Sequence, residues 1–197
     1  MRTGNEFPVS LYLIRKAARM GIPLSGTFEL TSRCNFNCRM CYVHGQNGNA
    51  AAGRELTARQ WLRIAEEAGK LGMLFVLLTG GEAMARKDFI EIYTGIVKMG
   101  VQVTINTNGS LLSEEVFRCF KTYPPHRISV SVYGASDAVY ERICGVRAYE
   151  KVNKNIERLT RMGISVRILM AITPDNCQDM RLIYERSRSL GTLLEMT

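Results

Sequence analysis

Three cysteines within eight positions, Cys34, Cys38 and Cys41, are the residues of this sequence with the clearest chemical potential. Their spacing is Cys-x3-Cys-x2-Cys, and no fourth cysteine follows nearby to complete a tetrahedral set. Structural zinc sites take four protein ligands, and most iron–sulfur cubanes take four thiolates. Three thiolates after a predicted strand therefore indicate a cluster with one iron left open, and an open coordination position makes a metal centre reactive.

Three further segments follow the cysteines along the chain, and each lies at the end of an apolar run. Residues 80–82 read Gly-Gly-Glu, residues 106–109 read Asn-Thr-Asn-Gly, and residues 129–134 read Ser-Val-Ser-Val-Tyr-Gly. In this order, and with the cysteine spacing before them, they resemble the motifs of radical S-adenosylmethionine (SAM) enzymes. The four segments span most of the 197 residues, so the resemblance extends over a whole domain.

The resemblance implies two cofactors. A 4Fe-4S cluster is expected on Cys34, Cys38 and Cys41, with its open iron binding the amino and carboxylate groups of SAM. In this family the reduced cluster cleaves SAM to methionine and a 5′-deoxyadenosyl radical, which abstracts hydrogen from a substrate. The expected partners are therefore a peptide or small-molecule substrate and an electron donor such as flavodoxin or ferredoxin.

The family motifs also imply which residues contact SAM. Glu82 is expected to accept hydrogen bonds from the α-ammonium group, and such charge-assisted bonds are among the stronger ones. Gly80 and Gly81 are expected to leave room for a ligand beside the backbone. Asn108 and Ser131 are expected to hydrogen-bond the ribose or the carboxylate of SAM.

Two more SAM contacts are implied at positions of different character. Met40 stands where the family usually has an aromatic residue against adenine, and a polarizable thioether also suits an aromatic face. Arg142 lies where related enzymes place a basic residue against the SAM carboxylate, which an arginine can bind with two hydrogen bonds. The alternative for Arg142 is an ordinary solvent-facing arginine on a helix.

The amino-acid sequences of two segments suggest the substrate class. Residues 31–42 and 133–137 resemble the SPASM or twitch branch, which carries a cysteine-rich C-terminal extension and includes many peptide-modifying enzymes. The favoured hypothesis is the catalytic core of such an enzyme. The alternative within enzymes is cofactor biosynthesis of the molybdopterin-precursor or haem type. The alternative outside enzymes is a non-catalytic zinc or iron–sulfur protein, with His44 as a fourth zinc ligand.

Composition excludes several other classes. The net charge of +8 arises from 26 Lys and Arg against 18 Asp and Glu, scattered without a basic stripe of interleaved aromatic residues, so nucleic acid is not expected. Cys119, Cys144 and Cys177 are dispersed, which indicates buried thiols rather than a disulfide framework. With no leader-like segment and no apolar run of about 18 residues, a cytoplasmic location without a membrane span is expected.

Apolar runs alternate with helical patterns, which is typical of an α/β fold with a parallel sheet. Six such units resemble the partial (β/α)6 TIM-like barrel of radical SAM enzymes, which would here stop at its sixth strand and lack a C-terminal extension. Residues 8–20 predict a helix within an N-terminal extension over residues 1–25, before a core domain over residues 26–197. Residues 57–60 have the form of a capping box at a helix start. The predicted strands are residues 27–30, 73–78, 101–106, 127–132, 164–170 and 193–196.

Overall fold

In the computed structural model of the chain, residues 9–43 and 55–197 are described. Their strands form one six-stranded parallel sheet in the order β1-β2-β3-β4-β5-β6. The predicted α/β architecture of a partial (β/α)6 barrel is confirmed. His44, the proposed fourth zinc ligand, lies outside the described residues. The strands are β1 (Ser25–Glu29), β2 (Phe75–Thr79), β3 (Gln102–Thr107), β4 (Arg127–Ser131), β5 (Val166–Met170) and β6 (Leu193–Met196).

Helices connect successive strands, as parallel pairing requires. The connection from β4 to β5 contains two of them, and short 3-10 turns at Ala83–Ala85 and Cys177–Asp179 follow β2 and β5. The helices are α1 (Val9–Arg19), α2 (Ala58–Lys70), α3 (Phe89–Lys98), α4 (Glu114–Thr122), α5 (Asp137–Cys144), α6 (Tyr149–Arg161) and α7 (Met180–Ser189).

Three of the predicted strands begin too early, each for the same reason. Met73, Val101 and Ile164 are buried, yet each lies in the connection ahead of its strand. All three belong to the hydrophobic core, so the hydrophobic signal starts before the hydrogen-bonded ladder does. A continuous apolar run identifies a buried parallel strand but does not fix its first residue.

The core lies between the sheet and its outer helices. Helix α3 buries Ile92, Tyr93 and Ile96 completely. The ring of Tyr93 meets that of Phe120 edge to face with 5.2 Å between centroids, and its hydroxyl donates to the carbonyl of Tyr123 at 2.7 Å. This hydrogen bond satisfies the polar end of a side chain that is otherwise surrounded by apolar groups.

The helix predicted over residues 8–20 is present as α1. Ala17 is buried, whereas Tyr12, Leu13 and Ile14 are exposed. Within the ranges that the structure describes, no helix has the length and apolarity needed to cross a membrane. The division into an N-terminal extension and a core domain stays a prediction.

The predicted capping box at the start of α2 is present. The backbone N–H of Gln60 donates to the hydroxyl of Thr57 at 3.3 Å, and the backbone N–H of Thr57 donates to the Gln60 side chain at 2.9 Å. Two of the unpaired donors at the helix start are satisfied in this way.

We expect Thr57→Ala to lower the free energy of unfolding by about 1 kcal/mol, because a capping hydroxyl is lost. Thr57→Ser should retain most of the stability. Urea denaturation measures both, with Arg63→Ala on the exposed face of the same helix as the control. An equal loss in the serine and alanine variants would contradict a capping role.

Candidate active site

The loops that carry the sequence motifs meet at one edge of the sheet. The cysteine loop follows β1, the Gly-Gly-Glu segment follows β2, Asn108 follows β3, and Ser131 ends β4. All of these strands run parallel, so their carboxyl ends share one edge, which is where α/β barrels place reactive groups. The structure therefore brings together segments that are up to about a hundred positions apart in the chain.

Glu82 lies at the centre of this edge with no exposed surface. Its carboxylate accepts hydrogen bonds from the backbone N–H of Met84 at 3.0 Å and from that of Asn108 at 2.7 Å. The hydroxyl of Thr107 donates to both carboxylate oxygens, at 3.0 and 2.9 Å. Burial raises the pKa of Glu82, while these three donors oppose that shift. The carboxylate thus joins the ends of β2 and β3, and its contact with SAM stays a prediction.

Gly80 and Gly81 allow close contact between two backbone segments. Gly80 has a φ of 136°, and a Cβ there would lie 2.2 Å from the carbonyl oxygen of Thr31. A Cβ on Gly81 would lie 2.5 Å from the carbonyl oxygen of Arg33. The N–H groups of Gly81 and Glu82 donate to these same two oxygens, at 2.7 and 2.8 Å. The space expected for a ligand beside these glycines is on this side filled by the start of the cysteine loop.

The side chain of Asn108 connects this edge to the cysteine loop. Its Nδ2 donates to Asn35 Oδ1 at 2.9 Å and lies 3.8 Å from the Sγ of Cys34. Its Oδ1 accepts from both the N–H and the hydroxyl of Ser110. Asn35 in turn donates to the Ser110 hydroxyl at 2.9 Å. Asn108 is therefore held in place by protein contacts and faces the first cysteine.

The cysteine loop is held on its other side by α5. The backbone N–H groups of Asn37 and Arg39 donate to the carbonyls of Cys144 and Ile143, at 3.0 and 2.9 Å. These carbonyls belong to the last turn of α5, where helix carbonyls lack partners within the helix. The loop thus supplies donors to the carbonyls at the end of the helix, and the helix fixes the backbone on either side of Cys38.

The three cysteines are half-buried side chains of this loop. The Sγ of Cys34 accepts from the N–H of Phe36 at 3.4 Å, but burial dominates and raises the pKa of this thiol. The thiol of Cys144 lies beside Cys38 and lowers the pKa of Cys38. Donors that surround a cysteine sulfur favour its thiolate form, which is the form that binds metal.

The donor set fits an iron–sulfur cluster. Three thiols lie on one loop, and N–H donors of Phe36 and Asn108 lie at the sulfur of Cys34. Among residues 9–43 and 55–197, no three His, Cys, Asp or Glu side chains converge on a point where they would hold a single metal ion. Thiolates of a cubane bind different irons and need no such point of convergence. Cys34, Cys38 and Cys41 are therefore suited to hold a cluster.

The remaining predicted SAM contacts differ in their surroundings. Met40 is half-buried and packs against the core, and Ser131 is half-buried with its hydroxyl beside that of Tyr133. Arg142 is partly exposed and donates to the carbonyl of Asp175 at 2.7 Å. Arg142 thus lies at the loop after β5, on the same edge as the cysteine loop.

A buried arginine that no sequence motif identified holds the chain on both sides of the cysteine loop. The side chain of Arg86 is only 4% exposed and donates to the carbonyls of Leu30 and Leu56, each at 2.9 Å. It forms ion pairs with Asp88 at 2.7 Å and with Glu55 at 3.3 Å. Together these contacts join the residue after β1, the segment before α2 and the segment before α3. Arg86 therefore holds both ends of the connection from β1 to α2.

The dispersed cysteines do not share one environment. Cys144 is buried as expected, Cys119 is half-buried, and Cys177 is exposed, so the expectation of a buried thiol is wrong for Cys177. Cys177 begins the 3-10 turn before α7, where the loop at the sheet edge faces outward. The Thr-Pro-Asp-Asn segment directly before Cys177 is a turn signal that distinguishes this position from the other two.

The family profile of the radical SAM superfamily matches residues 28–186, which is more than half of the chain. The chain therefore belongs to the radical SAM superfamily. A 4Fe-4S cluster and SAM are the cofactors that this superfamily uses, in agreement with the donor set on the cysteine loop.

Similar proteins act on different kinds of substrate. The probable GTP 3′,8-cyclase of Saccharolobus solfataricus is 31% identical over 176 residues, 88% of this chain and 56% of that protein. The AdoMet-dependent heme synthase of Methanosarcina barkeri is 28% identical over 167 residues, 84% of this chain and 47% of that protein. The chain spans about half the length of these relatives.

A solved structure shows the same fold. SuiB of Streptococcus suis, bound to the precursor peptide SuiA, matches with a TM-score of 0.78 and 17% identity, covering 100% of this chain and 46% of SuiB. SuiB bound to SAM matches with a TM-score of 0.75. At this level of identity the likeness establishes the partial barrel and leaves the substrate open.

We expect Glu82→Gln to lower the free energy of unfolding by about 2–3 kcal/mol. An amide NH2 cannot accept a hydrogen bond, so at least one of the buried donors around it loses its partner. Urea denaturation measures the loss, with Glu91→Gln on the exposed face of α3 as the control. A loss no larger than that of the control would contradict a central role for this carboxylate.

The ion pair of Asp88 with Arg86 predicts a pH-dependent contribution to stability. The Arg86 guanidinium lowers the pKa of Asp88 below its ordinary value of 3.8. The contribution is therefore present above the ordinary value and is lost as the pH falls through the lowered one. We expect Asp88→Asn to cost about 1–2 kcal/mol at neutral pH and much less well below pH 3.8. Urea denaturation at both pH values checks this, and an equal cost at both would contradict it.

Proposed function

We propose that this chain is the catalytic core of an enzyme that cleaves SAM reductively and abstracts hydrogen from a substrate. One observation carries the proposal: the cysteine loop is fastened to the Gly-Gly-Glu and Thr-Asn segments at one sheet edge. Glu82 binds Asn108, and Asn108 reaches the sulfur of Cys34. Residues that would hold a cluster and residues that would hold SAM are thereby adjacent.

The chain's own residues have distinct roles in this proposal. Cys34, Cys38 and Cys41 act as thiolate ligands, each to one iron. Asn108 supplies a side-chain donor to the sulfur of Cys34 at 3.8 Å. Glu82 holds the backbone of Asn108 at 2.7 Å, and it would bind the ammonium group of SAM in place of the Thr107 hydroxyl, which contacts both of its oxygens.

The remaining SAM contacts are proposed around the same edge. Arg142 would exchange its contact with Asp175 for the SAM carboxylate, and Asp175 would then keep Arg39 as its partner at 3.7 Å. Met40 would face adenine from the cysteine loop, and Ser131 would face the ribose from the end of β4. When cluster and SAM are bound, the chemistry they supply is formation of a 5′-deoxyadenosyl radical after one-electron reduction by a flavodoxin or ferredoxin.

For the substrate we propose a peptide or protein. The support is the fold shared with SuiB, a protein solved with its precursor peptide bound, over the whole of this chain. A small cofactor precursor is the second candidate, supported by the higher identity to a probable GTP 3′,8-cyclase and a heme synthase. The two candidates are tested by adding a mixed peptide library or GTP to the SAM-cleavage assay and comparing the rate of 5′-deoxyadenosine formation. Stimulation by GTP alone would overturn the peptide proposal.

We expect the anaerobically reconstituted and reduced protein to convert SAM to 5′-deoxyadenosine and methionine, measured by liquid chromatography with mass spectrometry. Cys38→Ala should abolish the product, because it removes a cluster ligand. Cys119→Ala, which removes a half-buried thiol on α4, is the matched control and should retain activity. Far-ultraviolet circular dichroism confirms that each variant is folded.

Two outcomes would overturn the proposal. A folded protein that carries a cluster and yields no 5′-deoxyadenosine is not a SAM-cleaving enzyme. A protein that instead takes up one zinc per chain, and no iron–sulfur cluster, supports the non-catalytic alternative.

A further inference from the structure

The two faces of the sheet carry residues of different character. On the face that packs against the helices, Ile105, Ile128 and Val130 belong to the core and have no exposed surface. The opposite face, the inner face of the partial barrel, carries polar side chains on three neighbouring strands. They are Thr79 on β2, Thr104 and Asn106 on β3, and Arg127 and Ser129 on β4.

These five polar side chains have no partners within the described protein. Among residues 9–43 and 55–197, none of the five forms a side-chain hydrogen bond or an ion pair. Ser129 is only 4% exposed, and the Nε of Arg127 is buried. A buried polar group without a partner costs free energy, so the inner face is suited to a polar ligand that supplies the missing partners.

Strand register places Arg127 well below the reactive edge. Arg127 pairs in register with Thr104, and Ser129 pairs with Asn106. Ser131, at the end of β4, is four residues beyond Arg127, which corresponds to about 13 Å at about 3.3 Å per residue. An extended peptide of about four residues spans this distance. A substrate that contacts both places therefore extends along the inner face.

The positive charge of Arg127 is not matched by a carboxylate of the inner face. Arg167, which pairs in register with Ser129, forms an ion pair with Glu195 at 2.8 Å. Glu29 lies on β1, three strands from β4, about 14 Å away along a sheet with about 4.8 Å between strands. Within the described ranges no acidic side chain pairs with Arg127, so its charge is open to an incoming anion.

We propose that Arg127 is a specificity-determining residue that binds a carboxylate of the substrate, and that the substrate is a peptide with an Asp or Glu side chain. A guanidinium binds a carboxylate with two parallel hydrogen bonds. Asn106 and Ser129 would hydrogen-bond the peptide backbone, whose N–H and C=O groups lack partners in an extended chain. This inference rests on the peptide substrate of the proposed function and adds a charge requirement to it.

The experiment is affinity selection from a defined library of synthetic peptides. Each sequence is present in an acidic form, with Asp or Glu, and in an amide form, with Asn or Gln at the same positions. The reconstituted protein is immobilised with SAM in the absence of oxygen, and mass spectrometry measures the ratio of the two recovered forms. The parental protein should recover acidic forms in about 10- to 100-fold excess, the range expected for a hydrogen-bonded charge pair.

Three variants locate the origin of this preference. Arg127→Gln keeps a polar side chain without the charge and should abolish the preference. Arg127→Lys keeps the charge but not the paired hydrogen bonds, so it should leave a smaller preference. Arg181→Gln removes the same charge from the exposed surface of α7 and should retain the parental ratio. This control distinguishes a specific site from general attraction of acidic peptides by the net charge of +8.

Several outcomes would overturn the inference. Equal recovery of the two forms by the parental protein is one, and a preference that Arg127→Gln retains is another. An equal loss in Arg127→Gln and Arg181→Gln would assign the preference to net charge. Binding of GTP that depends on Arg127, with no acidic peptide recovered, would replace the carboxylate by a phosphate.

A measurement on the parental protein decides the question if the Arg127 variants do not fold. Phenylglyoxal modifies arginine side chains, and peptide mapping by mass spectrometry reports the modification of Arg127. Protection by the recovered acidic peptides, and not by their amide forms, supports the inference, whereas equal modification in both cases overturns it.

The proposed function and this inference fail in different measurements. The selection requires no reduction of the cluster. A protein that prefers acidic peptides through Arg127 and forms no 5′-deoxyadenosine contradicts only the proposed function. A protein that forms 5′-deoxyadenosine and shows no preference between the two peptide forms contradicts only the inference.

Discussion

The carboxylate of Glu82 is the interaction on which the arrangement of the site depends. It is fully buried and binds the backbone after β2 and the residues that end β3. A buried carboxylate without partners is costly, so the loops that supply its donors are held in one geometry. Through Asn108 that geometry extends to the sulfur of Cys34.

The cysteine loop is fixed from two directions. Toward β2 and β3 it is held by the glycine backbone contacts and by Asn108, and toward α5 it is held by two backbone hydrogen bonds. Arg86 also binds Glu55 and the carbonyl of Leu56, just ahead of α2. A reactive site needs ligands whose positions are set by rigid surroundings. Here the rigid surroundings are helices, strand ends and a buried ion pair.

Much of the fold follows from the sequence because most of the parallel strands carry buried apolar residues. A continuous apolar run at residues 73–78 predicts β2, and Thr57 with Gln60 predicts the start of α2. The starts of β2, β3 and β5 were placed too early, since Met73, Val101 and Ile164 are buried without belonging to a strand.

The sequence by itself indicated the kind of site, because the three cysteines and the Gly-Gly-Glu segment, in this order, resemble the motifs of radical SAM enzymes. It also placed these segments at strand ends. Only the tertiary structure decided what touches them. Residues from separate βα units are joined by the hydrogen bonds of Glu82, by the close contact of Gly80 and Gly81 with the cysteine loop, and by the hydrogen bonds from that loop to the end of α5. Their distances in sequence carry no signal, because contact across a sheet edge is set by strand register and helix packing rather than by local propensity.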